Sequence, residues 1–383
     1  MTAIGVGVVG FGWMGEVHTR AYARLAHHYP DAPLRPELIA VADREPGRAD
    51  AAAQRYGFGV STVDWRDLVS HPRVHAVSVT APNVLHREIG VAVAEAGKHL
   101  WIEKPVGLSA ADAATVADAV SRAGVQCTVG FNYRNAPAVA AARQHIACGD
   151  LGTVTHVRIR LFSDYAAHPQ GALSWRFERA RGGNGVLGDL ASHGVDLARY
   201  LIGEIASVVA DTAVVIPRRP RPASSGSHFA RGSGELGEVE NEDYVAALLR
   251  FAGGARGVLE ASRVSVGEQC AYGVEVHGTH GMLAWDFRRM GELRRSLGED
   301  YQDQSVSTVL ARPGDGDLTA FAPGAGIPMS FDDLKVVEAE RFLRSVAEGK
   351  PYGATIGDAL AAALVLDAMT GSVRTGGWVE VGA

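Results

Sequence analysis

"IGVGVVGFGWMG", residues 4–15, is the stretch on which the reading of the fold turns. A short apolar run closes on glycines at 10, 12 and 15, and the helix-like "EVHTRAYARLAHH" (16–28) follows. That is G-x-G-x-x-G spacing at a strand-to-helix turn. Gly10 would make the tight turn, Gly12 would let the backbone approach a pyrophosphate, and Gly15 would let helix and strand pack closely. The amides at the helix N-terminus would hold the phosphates. Turns of this kind also occur without a nucleotide, so the surrounding chain has to decide.

A second strand, "LIAVAD" (38–43), ends in Asp43, where an acid accepts hydrogen bonds from an adenosine ribose; a plain strand-end turn is the alternative. "HHYPDAPLRPE" (27–37) reads as an inserted proline-rich loop that lengthens the spacing from the glycines. Asp43 would repel a 2′-phosphate, which points to NAD, while Arg44 and Arg48 keep NADP open. "VHAVSVTAP" (74–82), "KHLWIEKPVG" (98–107) and "GVQCTVGFNY" (124–133) read as further buried parallel strands, with the helix pattern "NVLHREIGVAVAEAG" (83–97) between the first two. Strands alternating with helices predict a doubly wound parallel sheet that binds its ligand beyond the carboxyl ends of the strands.

Those ends carry Thr80, Ala81, Pro82 and Asn83, then Glu103, Lys104 and Pro105, then Asn132, Tyr133 and Arg134. The predicted cofactor contacts are Gly10, Phe11, Gly12, Trp13, Met14 and Gly15 of the turn, then Asp43 and Arg44. Thr80, Ala81, Pro82, Asn83 and His86 follow, with Glu103 and Lys104 from the next strand end. Lys104 reads elsewhere as an ordinary surface residue; in this cleft it could hydrogen-bond a substrate hydroxyl and stabilise developing oxyanion charge.

Bulk properties set the frame. At 383 residues the chain is long enough for two domains, with 47% hydrophobic and 21% charged residues in the globular range. A net charge of -6 opposes nucleic acid and anionic membranes as partners and suits a small neutral ligand. Cys127, Cys148 and Cys270 form no C-x-x-C, so no disulfide framework or thiolate zinc site is expected, and a reducing compartment is. No basic leader and no membrane-spanning run is read, and the expected location is cytoplasmic.

After Asn135 the pattern changes, giving an expected division into a 1–134 dinucleotide-binding domain and a 135–383 domain for substrate and oligomerisation. One helix, "NAPAVAAARQHIACGDLG" (135–152), leads into the alternating strand "TVTHVRIRLF" (153–162). Residues 243–251, 255–264, 272–278 and 281–287 read as strands of an open, mostly antiparallel sheet covered by helices on one face. Amphipathic helices are predicted over 331–349 and 357–369. The basic, glycine- and serine-rich stretch 217–238 reads as a loop, either an interface arm or disordered.

"GGNGVLGDLASHGVDL" (182–197) gathers glycines ahead of Asp189, His193 and Asp196. A helix over 188–202 would put the three on one face. The glycines would clear space for something bulky beside a face that could hold a proton-transfer group, although a satisfied helix start is the plainer alternative. Metal ligation by Asp189 and His193 lacks a third ligand nearby, and no metal is expected. His27, His28 and His280 have no partner pattern.

"GFGWMG", "EKP" at Glu103 to Pro105 and "GGNGVLGDLASHGVD", in that order and spacing, together resemble the glucose-fructose oxidoreductase and inositol dehydrogenase (Gfo/Idh/MocA) family. "FNYRNAPAV", "LSWRF" and the loop after the first helix look most like its levoglucosan dehydrogenase branch, which acts on anhydro-sugars with NAD. The resemblance implies a Rossmann domain, an α/β domain with a large open sheet, and assembly into dimers or tetramers. It implies that Lys104, Asp189 and His193 match the catalytic lysine, aspartate and histidine, and that Trp175 and Arg176 lie near nicotinamide and sugar. Asn184 departs from the pattern, since relatives more often carry glycine there; asparagine tolerates a left-handed backbone.

The expected function is an NAD-dependent dehydrogenase that oxidises a secondary hydroxyl of a sugar, anhydro-sugar or inositol. His193 titrates near neutral pH and is the expected general base. Asp189 would orient His193 or bind an adjacent hydroxyl, and Asp196 is as well explained as a helix partner. Lys104, Tyr133, Trp175, Arg176, Asp189 and His193 would contact the substrate, with core packing the alternative for Trp175. Two other readings stay open: a non-catalytic dinucleotide-responsive sugar-binding regulator, and a lyase or epimerase working through a transient keto intermediate.

Overall fold

Six apolar runs in the first third pair as one all-parallel sheet. In the computed structural model, which describes residues 2–222 and 230–382, they are β1 (Thr2–Val9), β2 (Leu34–Ala42), β3 (Val60–Thr62), β4 (Ala76–Val79), β5 (His99–Ile102) and β6 (Cys127–Val129). Every residue of β4, and of β1 from Ile4 onward, is buried, as a sheet with helices on both faces requires. The order β3-β2-β1-β4-β5-β6 reverses between β1 and β4, so the crevice opens at their carboxyl ends.

The stretch 27–37 is not one inserted loop. β2 starts at Leu34, and Leu34 to Glu37 pair with Thr2 to Gly5. β3 joins β2 only at Ala40 to Ala42. Pro36 therefore lies where the strand has a neighbour on one side only, a position that tolerates a missing N–H.

The chain divides into two compact units, residues 1–135 with 329–361, and 136–328 with 362–383. A single cut between 134 and 135 leaves out the return of 329–361. The helix Phe331–Glu348 opens with a reciprocal capping box between Ser330 and Asp333. It lies on the helix Trp13–His28, where Arg20 bonds Asp332 at 2.6 Å and Arg24 bonds Asp333 at 2.5 Å.

In the second unit nine strands form one mixed sheet among the described residues. Val154–Phe162 and Arg256–Ser262 pair in parallel at its centre, and the other pairings are antiparallel. Val157, Ile159 and Leu161 alternate with exposed residues, so one face is buried. Leu248 and Val258 stand exposed on the sheet.

Two expectations change. The ends of the stretch 217–238 pair as an antiparallel ribbon, Arg218–Pro220 with Leu236–Glu238, while residues 223–229 lie outside the described residues. The helix Ile356–Thr375 is long and apolar enough to cross a membrane, contrary to the expectation that no run is. Length and composition alone also describe a core helix, and this one buries Ala362, Val365 and Met369. Its Ser372 hydroxyl accepts from the Ala210 amide at 3.0 Å.

Candidate active site

The glycine turn joins β1 to the helix Trp13–His28, and its three glycines do different work. Gly10 has φ +86°, and a Cβ there would stand 2.7 Å from the Ala81 backbone, so turn and neighbouring strand end both require glycine. A Cβ on Gly15 would meet the Gly10 carbonyl oxygen at 2.3 Å. One on Gly12 would meet nothing within 4 Å. Gly12 is also the N-cap and offers no side chain to the helix's first amides. That is an open, electropositive helix start of the kind that binds phosphate.

Asp43 is buried at the end of β2. Its carboxylate accepts from the Phe11 amide at 2.6 Å and the Glu45 amide at 2.8 Å, with the Arg48 guanidinium 3.3 Å away. It therefore fixes the turn from the end of β2. Arg44 is exposed. Thr80 donates to the Gly10 and Val9 carbonyls and locks β4 to the turn, and Asn83 opens the following helix after Pro82.

His86 packs beneath the ends of β4 and β5. The ring is buried, with both nitrogens 2.7 Å from carbonyl oxygens, those of Ala81 and Pro105, and burial lowers its pKa. In the neutral ring one of these nitrogens donates to its carbonyl, and both face the chain's own backbone. Trp13 is 64% exposed and stacks on Phe331 at 5.2 Å, and Phe331 meets the buried Tyr133 edge-on at 6.5 Å.

Below the end of β5 lies a buried ionic cluster. Lys335 Nζ donates to Glu103 at 2.5 Å and to Glu338 at 2.8 Å, and the Trp101 indole donates to Glu338 at 2.7 Å. His18 Nε2 is 3.0 Å from Glu103, and its ring stacks on Trp101 at 3.6 Å. Burial would raise the Glu103 carboxyl, but Lys335 and His18 outweigh it and hold it well down. Burial pushes Glu338 up to about 7 and His18 down to about 4. Ligand atoms of His18, Glu103 and Glu338 lie within 4.8 Å of one another, but the Lys335 ammonium between the carboxylates supplies the positive charge a cation would. Lys104 follows Glu103 directly and is half-buried.

In the second unit the expected helix over 188–202 is two pieces, a π-helical turn at Leu187–Ala191 and an α-helix at Ser192–Ile202. Asp189 sits on the wide turn; His193 and Asp196 are buried in the first turns of the α-helix. Such π-turns recur at functional sites. The Asp189 carboxylate accepts from the Tyr165 phenol at 2.5 Å. Desolvation and that carboxylate push Tyr165 well above the usual tyrosine range. Burial, and then the charges of Cys270 and Asp189, raise Tyr272 too.

Three glycines of the run, Gly182, Gly185 and Gly194, stand against the chain itself. A Cβ on Gly185 would stand 2.2 Å from the Glu242 carbonyl oxygen, and one on Gly182 2.9 Å from that of Trp175. On Gly194 it would meet Leu161 at 2.5 Å. Glu242 and Asn241 hold the run, taking the Val186 and Leu187 amides and bonding the Gly183 and Arg176 carbonyls. The left-handed residue is Gly183, at φ +72°; Asn184 is not among the described non-glycines with positive φ. Trp175 and Arg176 are half-buried, the guanidinium 4.4 Å over the indole, while Phe177 enters the core.

The sequence reading missed Lys335, Glu338 and His18, each lost in an amphipathic helix pattern, and Tyr165, in an unremarked loop. A lysine on a face otherwise apolar, at Leu334 to Val337, is the one signal that could have marked Lys335.

Fold and turn define a dinucleotide-binding Rossmann protein with a second α/β domain. Residues 4–131 match the family model for the NAD-binding Rossmann fold of the GFO/IDH/MocA oxidoreductases, and residues 139–284 match that of the GFO/IDH/MocA C-terminal domain. The chain belongs to this family. It is 36% identical to levoglucosan dehydrogenase of Pseudarthrobacter phenanthrenivorans, over 100% of this chain and 99% of the relative. With inositol 2-dehydrogenase of Rhizobium meliloti it shares 28% identity over 96% of each. Among solved structures, levoglucosan dehydrogenase in complex with NADH and levoglucosan superposes with a TM-score of 0.94, at 35% identity, over the whole of both chains.

Proposed function

We propose that this oxidoreductase oxidises a secondary hydroxyl of an anhydro-sugar, with levoglucosan the first candidate and NAD the cofactor. The turn at the β1/β4 reversal carries the reading, because Gly12 faces open space at a helix start while the glycines on either side are packed. The full-length likeness to levoglucosan dehydrogenase supports the substrate class. Asp43 at the end of β2 favours an unphosphorylated ribose.

Bound NAD supplies the acceptor for the hydride that leaves the carbinol carbon. His193 takes the hydroxyl proton as the C–H electron pair departs and the C=O bond forms. Lys104 bonds the same oxygen and stabilises its alkoxide character. Asp189, with one oxygen held by Tyr165, orients the imidazole or an adjacent substrate hydroxyl. Tyr133, Trp175 and Arg176 contact the sugar. Copies associate into dimers or tetramers, a stoichiometry that native mass measurement checks.

The test is absorbance at the reduced-nicotinamide band with NAD and a panel of levoglucosan, hexoses and inositols. A signal largest for levoglucosan is expected. Silence across the panel while NAD still binds would overturn the reading and favour a sugar-responsive regulator.

A further inference from the structure

We infer that Lys335 is a positioning residue for Lys104, acting through Glu103. This rests on the reading of Lys104 as the group that bonds the substrate hydroxyl. Lys335 comes from the returning helix, beyond both segments matched by the family models, and is 1% exposed. Its ammonium grips the end of β5 twice, at Glu103 directly and at Trp101 through Glu338. His18 grips the same two residues, bonding Glu103 and stacking on Trp101. Gly130 opens the slot from the far side, since a Cβ there would stand 2.4 Å from the Glu103 carboxylate. The residue whose side chain is held in this way is the one that precedes Lys104.

A buried ion pair is an expensive way to fill a core, and apolar residues of similar volume often do so at no loss of stability. What it adds is direction, because short charge-assisted hydrogen bonds fix positions that packing leaves adjustable. Position matters at Lys104, since a shift of about 1 Å in a catalytic group can cost about 100-fold in rate.

The test is a mutant cycle on the full-length enzyme with NAD and levoglucosan. Glu103→Gln keeps an acceptor facing the ammonium and is the reference against which the double variant is read. The double variant Lys335→Met/Glu103→Gln leaves neither charge of that pair unmatched, so it folds, with Glu338 free to take up a proton. It is expected to lose at least about 30-fold in kcat relative to Glu103→Gln. The KM for levoglucosan and the Kd for NAD should stay within about 3-fold of those of Glu103→Gln, at temperatures well below melting. Equal kcat in the double variant and in Glu103→Gln overturns the inference.

Lys104→Met separates the two readings. If it turns over normally, the role of Lys104 fails and that of Lys335 falls with it. If it is inactive while the double variant matches Glu103→Gln, only Lys335 is excluded. A crystal structure of the double variant gives a readout free of turnover: the Lys104 ammonium should move by about 1 Å or more, and an unmoved one overturns the inference.

Discussion

The two glycine runs look alike in sequence and do opposite things. In residues 10–15 the packed glycines, Gly10 and Gly15, frame one, Gly12, that faces open space at an uncapped helix start. In residues 182–194, Gly182, Gly185 and Gly194 each stand against the chain's own atoms, at Trp175, Glu242 and Leu161. The first run leaves open space at a helix start. The second packs against the chain's own backbone and core beside Asp189 and His193, and on the proposed reading leaves the chemistry of that unit to side chains.

The strongest challenge to this contrast is to remove the side chains. Lys104→Met and His193→Ala are each expected to lower turnover at least about 100-fold with NAD binding kept, as loss of oxyanion support or a general base does. Near-normal rates in either variant, measured by steady-state kinetics, would take that residue out of the mechanism.

A paired glycine experiment sharpens the contrast. Gly12→Ala should leave the melting temperature unchanged and weaken NAD binding about 10-fold or more, because the added methyl stands where a pyrophosphate approaches. Gly185→Ala should do the reverse, costing about 2–4 kcal/mol of stability through backbone overpacking while the folded protein binds NAD normally. Titration calorimetry and thermal melts read both, and a Gly12→Ala variant that melts early would erase the distinction.

The smallest effect lies beneath the first run, on the helix it starts. His18 faces Glu103, Lys335 and Trp101, and burial depresses its pKa from 6.5 to about 4. The folded state thus binds a proton less readily than the unfolded chain. The His18 contribution is intact above pH 6.5 and is lost as pH falls toward 4, reaching about 2 kcal/mol by pH 5. Glu338, raised from 4.5 to about 7, gives the opposite slope over pH 4.5 to 7. The His18 share is therefore the difference between wild type and His18→Gln in urea unfolding at pH 7 and pH 5. Parallel stability changes in the two proteins would show that His18 is not the group responsible.

Most of the first unit was legible because its signals are local. The buried runs of β1, β4 and β5 and the spacing of Gly10, Gly12 and Gly15 are written within short windows, where strand length and turn geometry constrain residue type directly. Asp189 and His193 could likewise be picked out four residues apart. Their roles could not, and neither could Tyr165, whose bond to Asp189 crosses 24 positions.

What no window contains is the company a residue keeps after folding. Lys335 meets Glu103 across 232 positions, and Gly185 reads the same whether a sugar or the Glu242 carbonyl lies beside it. Pattern and spacing were enough for the doubly wound sheet and the nucleotide turn, since backbone geometry dictates them residue by residue. Which glycine faces open space, and which buried carboxylate is held by which ammonium, follow from distances between remote segments, and these exist only once the chain has packed.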